Sequence, residues 1–196
     1  ELKAEFSKLG YHLDEQILNA ADLGVAQSRR RLFLVGDRSR PPNRVTQFRT
    51  GRKPSVKSIL DSSGSWKTSL LYADNRARGT LERASRAFAA IGKSSPFLLV
   101  YYGSDGSGGW QRLDKPLRTI TTIDRFALVE PSADGPRMRM LQVPELKRAM
   151  GFEDGFRLEM GSRRDKIRLL GNGVCPPVMQ AVVSSLTSTK IDVPRS

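Results

Sequence analysis

The sequence is poor in the residues that form disulfides and metal centres. Among 196 residues there is one cysteine, Cys175, and one histidine, His12. A single cysteine has no partner for a disulfide within the chain, and zinc sites need several Cys or His ligands. We therefore predict no metal site, and the scarcity of cysteine favours a reducing, cytoplasmic setting.

Long apolar runs and, in one region, acidic residues are also missing. No stretch approaches the roughly 18–20 apolar residues of a membrane span, so we expect no membrane partner. The chain has 33 Lys and Arg against 20 Asp and Glu, a formal net charge of +13. Residues 38–60 contain seven of these basic residues and no acid. This imbalance predicts a polyanionic partner.

Hydrophobic periodicity predicts a mixture of helices and strands. Helical spacing covers residues 2–9, 80–91 and 143–150, and a last helix begins at Pro176. Strand patterns cover residues 12–19, 97–102, 119–122 and 126–129. The run at 32–35 is continuously apolar, which predicts a strand covered on both faces. The fold class is therefore mixed α/β.

One motif, GVAQSRRR at residues 24–31, runs directly into the apolar sequence LFLVG. Arg29 and Arg31 are two residues apart, so on a strand their side chains point to the same face. A rigid guanidinium can donate to a pyrimidine carbonyl oxygen and to a carboxylate at once. The alternative interpretation is a solvated basic turn before a strand.

A second motif, GNGV at residues 171–174, precedes Cys175, two prolines and the last helix. Gly171 and Gly173 allow close approach of another backbone, and the Asn172 amide both donates and accepts. An ordinary turn at a helix start would have the same composition. Between the two motifs lies RMLQVPE at residues 139–145, followed by the Gly151-Phe152 pair.

In this order, the three motifs resemble the closing portion of DNA (cytosine-5) methyltransferases. The family pattern Gln-x-Arg-x-Arg fits Gln27, Arg29 and Arg31, although Leu23 and Ala26 replace the usual Tyr and Pro. The resemblance implies that Arg31 contacts the cytosine ring oxygen and steadies a catalytic glutamate. It implies that Arg29 supports the pocket and that Gln27 sits near the target base.

The resemblance also implies a cofactor and a structural motif. Residues Asn172, Gly173 and Val174 would line part of an S-adenosylmethionine site. The segment around Arg139 and Glu145 departs from the family at three positions, and we interpret it as mainly structural. Cys175 stands far from the position of the family's nucleophile, so we interpret it as a packing residue.

Candidate DNA contacts come from two regions. Short hydroxyls and arginines can contact phosphates and purine edges. Residues 116–122 resemble a Pro-x-x-Thr-Ile-Thr segment of target recognition domains, with a cluster of cations around it. The alternative is a Thr-rich strand with a solvated charged face. The candidates are Arg49, Arg52 and Lys53 in the acid-free region, and Arg118, Thr119, Thr121 and Arg125 in the threonine-rich one.

The resemblance implies the end of a methyltransferase Rossmann-like sheet followed by a small, irregular α+β target recognition lobe. We predict residues 1–37 as the end of the catalytic domain and 38–137 as the target recognition domain. Residues 138–190 would be helices that return to the catalytic domain, and 191–196 a tail. No cysteine loop, glutamate motif or glycine-rich cofactor motif precedes residue 24.

We therefore expect the C-terminal portion of a bacterial or phage-encoded enzyme of a restriction–modification type. The portion would be inactive alone and would bind double-stranded DNA and its missing N-terminal half. Exposed apolar surface could otherwise drive it to dimerise. The alternatives are a non-catalytic DNA-binding module and the smaller subunit of a split methyltransferase.

Overall fold

The structure, a computed structural model, describes residues 1–45, 53–102 and 108–187 of the chain. It begins with a short helix and a β-hairpin. Helix α1 covers Leu2–Lys8, and strands β1 (His12–Asn19) and β2 (Arg30–Asp37) pair antiparallel along their whole length. A 3₁₀ turn at Ala20–Leu23 follows β1 and ends at Gly24 with φ +80°, a conformation that glycine adopts without strain. The predicted strand at 12–19 is confirmed.

A five-stranded antiparallel sheet forms the middle of the chain. Its strands are β3 (Ser69–Leu70), β4 (Phe97–Val100), β5 (Trp110–Arg112), β6 (Phe126–Glu130) and β7 (Arg137–Met140), in the order β3-β7-β6-β4-β5. Helix α2, Arg78–Ile91, packs through Ala84 and Ala87 in a small core with Phe97 and Leu99. A 3₁₀ turn lies at Val56–Ser58.

Three helices complete the described chain: α3 (Val143–Ala149), α4 (Arg163–Asn172) and α5 (Pro176–Thr187). A larger core joins them to the hairpin and to the second face of the sheet. It contains Leu18 of β1, Leu98 of β4, Leu146 of α3, Ile167 of α4 and Val178 of α5. Because alternate residues of β4 enter the two cores, this strand is buried on both faces.

Two sequence expectations about strands are wrong. Residues 119–122 form no strand, because their backbone groups bond to side chains from the first motif and from Tyr102 instead of to a neighbouring strand. Strand β2 is not covered on both faces. It pairs with β1 alone among the described strands, and Leu32 remains 60% exposed.

Helix α4 was missed, although the sequence carries a signal for its start. The Ser162 hydroxyl accepts from the backbone N–H of Asp165 at 3.2 Å, and the Asp165 carboxylate accepts from Ser162 N at 3.1 Å. This reciprocal pair is a capping box. The helix presents only two buried large apolar side chains, Ile167 and Leu170, so its periodicity is weak.

Residues Arg163–Thr187 together pass a length and composition test for a membrane-spanning helix. In the fold they are two helices separated at residues 173–175, and each is shorter than the roughly 20 residues that a bilayer requires. The stretch is therefore weak evidence for a membrane segment. The predicted absence of a membrane partner stays a prediction. So do the predicted domain borders, of which the one at residue 137 falls inside β7.

Candidate functional site

Arg29 is the point at which three sequence motifs meet. Its guanidinium donates from Nη1 to the Ile120 carbonyl at 3.0 Å, and from Nη2 to the carbonyls of Gly171 at 2.7 Å and Gly173 at 3.0 Å. The residue is 5% exposed, and burial, with Arg31 as a second cause, lowers the pKa of Arg29. The side chain therefore holds together the Gln-x-Arg-x-Arg motif, the threonine-rich segment and the Gly-Asn-Gly motif.

The end of α4 packs directly on the threonine-rich segment at Gly171. A Cβ atom added at this glycine would lie 2.3 Å from the Thr121 carbonyl oxygen and 2.7 Å from Thr122 N. Those neighbours are backbone atoms and cannot swing aside as a flexible side chain would. The position therefore requires glycine. This agrees with the close backbone approach that the sequence analysis expected at Gly171.

Gln27 is fully buried and joins two further elements. Its Oε1 accepts from Ile120 N at 3.0 Å, while its Nε2 donates to the Ala149 carbonyl at 3.4 Å and to Met150 Sδ at 3.0 Å. An isolated parallel bridge also pairs Gln27 with Leu117. Both ends of the amide are thus bonded to the protein, and proximity of Gln27 to a target base stays a prediction.

Arg31 differs from its two motif neighbours because its side chain is exposed. Its Nη1 donates to the Arg30 carbonyl at 2.8 Å, and it forms no ion pair with the described residues. It lines a cavity of about 170 Å³ together with Leu32, Asn172 and Val174. The cavity therefore brings the predicted base-contacting arginine beside the predicted cofactor motif.

The cofactor motif presents both polar and apolar groups to this cavity. Asn172 is exposed and its amide makes no hydrogen bond with the described residues, so it can still donate and accept. Val174 is half-exposed. Sites for whole small-molecule ligands measure roughly 300–1,000 Å³, so this cavity can form only part of one.

Cys175 also lines this cavity, and it is buried. Burial raises the pKa of its thiol, although Arg29 and Arg31 act in the opposite direction. Its Sγ lies 3.9 Å from Met150 Sδ. Cys175 belongs to the apolar core together with Met150 and Val178, in agreement with its interpretation as a packing residue.

A second, larger cavity of about 480 Å³ lies on the other side of the first motif, where Ser28 reaches it. Its charged lining residues are Lys53, Arg112, Lys115 and Arg118. Among the described residues no carboxylate lines it. Two predicted DNA contacts, Lys53 and Arg118, are therefore neighbours, while Arg49 and Arg52 lie outside the described residues. Asn19 and Ser28 also line this cavity, although the sequence analysis singled out neither side chain.

The other predicted DNA contacts serve the fold in part. The Thr119 hydroxyl donates to the Ser28 carbonyl at 2.9 Å, and the Thr121 hydroxyl to the Ile123 carbonyl at 3.1 Å. Arg125 donates from Nη1 to the Tyr101 carbonyl at 2.5 Å, while its buried Nε has no hydrogen-bond partner among the described residues. DNA contact by these residues stays a prediction.

The middle motif is structural. Arg139 and Glu145 form a buried pair with two contacts of 2.7 Å, and Glu145 also accepts from the backbone N–H groups of Asp61 and Gln142. The carboxylate is fully buried and raises the pKa of Arg139. The pair therefore connects β7, α3 and the segment near residue 61, which confirms the structural interpretation.

One face of the β1–β2 hairpin remains apolar and exposed. Ile17 and Leu32 lie directly opposite each other, so both side chains stand on the same face, 56% and 60% exposed. On α5, Val178 and Val182 are buried, whereas Met179 and Val183 are 41% and 49% exposed. The apolar stripe of α5 is thus only partly covered by the described residues.

These motifs and their mutual packing define a DNA cytosine methyltransferase architecture, and comparison with known proteins shows the family. The model of the C-5 cytosine-specific DNA methylase family matches residues 1–188, so the chain belongs to that family. The chain is 26% identical over 191 residues to the orphan methyltransferase M.SssI of Spiroplasma monobiae, covering 94% of this chain and 47% of that protein. The resemblance stated from the motifs is confirmed.

Other relatives agree in extent. The type II methyltransferase M.AplI of Arthrospira platensis is 27% identical over 204 residues, covering 96% of this chain and 51% of that protein. The chain therefore spans about half the length of these curated relatives.

Solved structures show the same mixed α/β fold. The S. pombe Dnmt2 methyltransferase matches with a TM-score of 0.60 and 17% identity, over 94% of this chain and 60% of that one. A Spodoptera frugiperda DNMT2 mutant matches with a TM-score of 0.62 and 15% identity, over 95% and 61%.

Proposed function

We propose that this chain is the C-terminal part of an enzyme that methylates carbon 5 of cytosine in DNA. The convergence of three motifs on Arg29 carries the proposal. Its buried guanidinium joins the base-pocket motif, the recognition segment and the cofactor motif through three hydrogen bonds of 2.7–3.0 Å. Five donors in a rigid fork suit arginine, and not lysine, to such a junction.

Within the full enzyme, Arg31 would work at the target base. Its guanidinium is exposed beside the cavity and has no ion pair with the described residues, so it can meet a cytosine carbonyl and a glutamate. A cysteine thiolate and that glutamate would come from the remaining half. The target cytosine would be extruded from the duplex to reach them.

S-adenosylmethionine would supply the methyl group. Asn172, Gly173 and Val174 fit part of its site, because an unbonded amide and a half-exposed apolar side chain face one cavity. That cavity measures about 170 Å³, so the remaining half would supply most of the contacts. The residues of this chain would orient the cofactor and exclude water from one side.

The partner of the hairpin's apolar face would be that remaining half. Ile17 and Leu32 stand exposed on one strand face, and the chain matches about half of its relatives' length. Burying such side chains stabilises an interface by roughly 1.5–3 kcal/mol each. The remaining half of the enzyme, in the same chain or in a separate one, would then cover this face, and a second copy of this chain would not.

DNA would bind on the basic side, through Lys53, Arg118 and the acid-free segment with Arg49 and Arg52. Thr119, Thr121 and Arg125 would contribute from the recognition segment. We extend the proposal to a bacterial or phage-encoded, cytoplasmic enzyme of a restriction–modification system, because M.AplI of Arthrospira platensis is named a type II methyltransferase.

The second candidate, favoured by the chain's half-length match to its relatives, is a subunit of a split methyltransferase. A purely DNA-binding module is a third. Reading the gene upstream of Glu1 separates them. A continuous frame that encodes a Pro-Cys-Gln loop supports one enzyme, and a start codon beside Glu1 supports a separate subunit.

A methylation assay tests the proposal. Duplex DNA and radiolabelled S-adenosylmethionine are incubated with the chain alone, and then with the polypeptide encoded upstream or in a neighbouring gene. We expect label in cytosine only in the second mixture. Arg31→Ala should abolish incorporation without preventing assembly, whereas Arg78→Ala, an exposed arginine of α2, should not. Label from the chain alone, or none from either mixture, would contradict the proposal.

A further inference from the structure

The 480 Å³ cavity beside Ser28 is assembled from separate parts of the chain. Asn19 comes from the end of β1, Ser28 from the first motif and Lys53 from the region before the Val56–Ser58 turn. The segment from Trp110 to Arg118 closes the opposite side. Because these segments are distant in sequence, the cavity is formed by tertiary packing. It is not the solvated surface of a single loop.

The charge of this cavity is positive. Lys53 forms an ion pair with Asp22, and Arg112 with Asp114 at 3.2 Å. Lys115 is exposed and forms no ion pair with the described residues. Lys115 therefore adds a positive charge to the cavity that no carboxylate of the described residues neutralises.

The hydrogen-bond acceptors on one wall are already used. The Gln111 side-chain oxygen accepts from Arg118 N at 3.2 Å, and the Trp110 carbonyl accepts from Arg118 Nη2 at 3.2 Å. The Pro116 carbonyl accepts from Gln111 Nε2 at 2.6 Å. This wall therefore offers a ligand positive charge and few acceptors.

The opposite wall shows the same bias. Asn19 Oδ1 accepts from Ala21 N at 3.3 Å and from Arg29 N at 3.0 Å, so the acceptor of this amide is already used. The Ser28 carbonyl accepts from the Thr119 hydroxyl at 2.9 Å. The Asn19 amide nitrogen and the Ser28 hydroxyl make no hydrogen bond with the described residues.

Unused donors and excess positive charge select a ligand that is anionic and accepts hydrogen bonds only. Phosphate oxygens have this chemistry, and serine, asparagine and lysine side chains are regular partners of DNA phosphates. The volume of about 480 Å³ exceeds the need of a bare anion and admits an attached sugar. We infer that this cavity binds a backbone phosphate of DNA through Ser28, Asn19 and Lys115.

The inference rests on the proposed function for the identity of the polyanion, and it adds a positioning role. Ser28 lies between Gln27 and Arg29, so a phosphate held there is fixed relative to the junction of the three motifs. Phosphate contacts set the register of a protein on DNA and do not read its sequence. Ser28 and Lys115 would thus help to place the strand that carries the target base.

Salt-dependent binding of duplex DNA to the full chain, followed by fluorescence anisotropy, tests this inference. Each phosphate contact contributes a slope of roughly 0.9 in log affinity against log salt. Lys115→Ala should lower the slope by about that amount. The ratio of wild-type to Lys115→Ala affinity for DNA should therefore fall about 3.5-fold between about 50 and 200 mM salt. Lys93→Ala, an exposed lysine after α2, is the matched control and should leave the slope unchanged.

A neutral substitution separates hydrogen bonding from charge. Ser28→Ala should weaken DNA binding at every salt concentration while the slope stays at the wild-type value. The inference would be overturned if Lys115→Ala and Ser28→Ala both had the same DNA affinity and salt slope as Lys93→Ala. So would a wild-type chain without salt-sensitive DNA binding.

Inorganic phosphate distinguishes DNA from a free anion as the ligand. If Lys115→Ala loses binding of inorganic phosphate but keeps wild-type DNA affinity and slope, the cavity is an anion site unrelated to DNA and the inference fails. None of these measurements needs methylation. A chain that binds DNA as expected but never methylates with its partner half would therefore refute the proposed function alone.

Discussion

Substituting Gly171 by alanine tests whether α4 and the threonine-rich segment are held in direct backbone contact. The added Cβ would lie 2.3 Å from the Thr121 carbonyl oxygen and 2.4 Å from its carbonyl carbon. Overpacking a tight site typically costs about 1–3 kcal/mol, and the upper end applies here because the opposing atoms are backbone. Gly171 is also within helix α4, where alanine gains about 1 kcal/mol over glycine.

The clash therefore outweighs the helix propensity, and the free energy of unfolding should fall by about 2 kcal/mol. For a chain of this size, that loss lowers the melting temperature by about 4–8 °C. Thermal unfolding followed by circular dichroism measures it. Gly155→Ala is the matched control, because a Cβ there meets no atom within 4 Å and φ is not in the left-handed region. Gly171→Ala that is as stable as the wild type would refute the close contact.

Three further outcomes are expected. Because burial raises the pKa of Cys175, less thiolate exists at any pH near 8. A thiol reagent should therefore label the native chain far more slowly than the urea-unfolded chain. Equal labelling rates would place the thiol at the surface. Glu145→Ala leaves Arg139 buried without its partner and should lower the free energy of unfolding by about 3–5 kcal/mol in urea titrations, whereas loss of less than about 1 kcal/mol would contradict a buried pair. Leu32→Glu should leave the stability of the chain nearly unchanged, because Leu32 is 60% exposed, yet weaken assembly with the remaining half at least about tenfold in sedimentation; unchanged assembly would exclude this face as the interface.

Local sequence predicted most of the regular structure. The strand at His12–Asn19 and the helices α1, α2, α3 and α5 appear within a few residues of their expected positions. These elements carry their own signals, such as periodic apolar residues, a proline at the helix start or a glycine after its end. Helix α4 was missed because half of its ten residues are charged and few are apolar, although its capping box was readable.

The sequence motifs also predicted the candidate site residues, since the family pattern consists of residue types in a fixed order. Only the tertiary structure divided their roles. Gln27 and Arg29 are buried and Arg31 is exposed, although the three lie within five residues of one another. The partners that bury Arg29 lie 91 to 144 residues away in the chain, and no local pattern encodes such distances.

The same reason explains the path of residues 119–122 and the basic cavity. A threonine-rich run has the local preference of a strand, but Gln27, Arg29 and Tyr102 take its backbone groups and hold it in another conformation. Asn19 and Ser28 are candidate phosphate contacts only because folding places them around one cavity with Lys115. Sequence by itself determined the family, most of the helices and strands, and the charge, whereas long-range packing decided which side chains face each other.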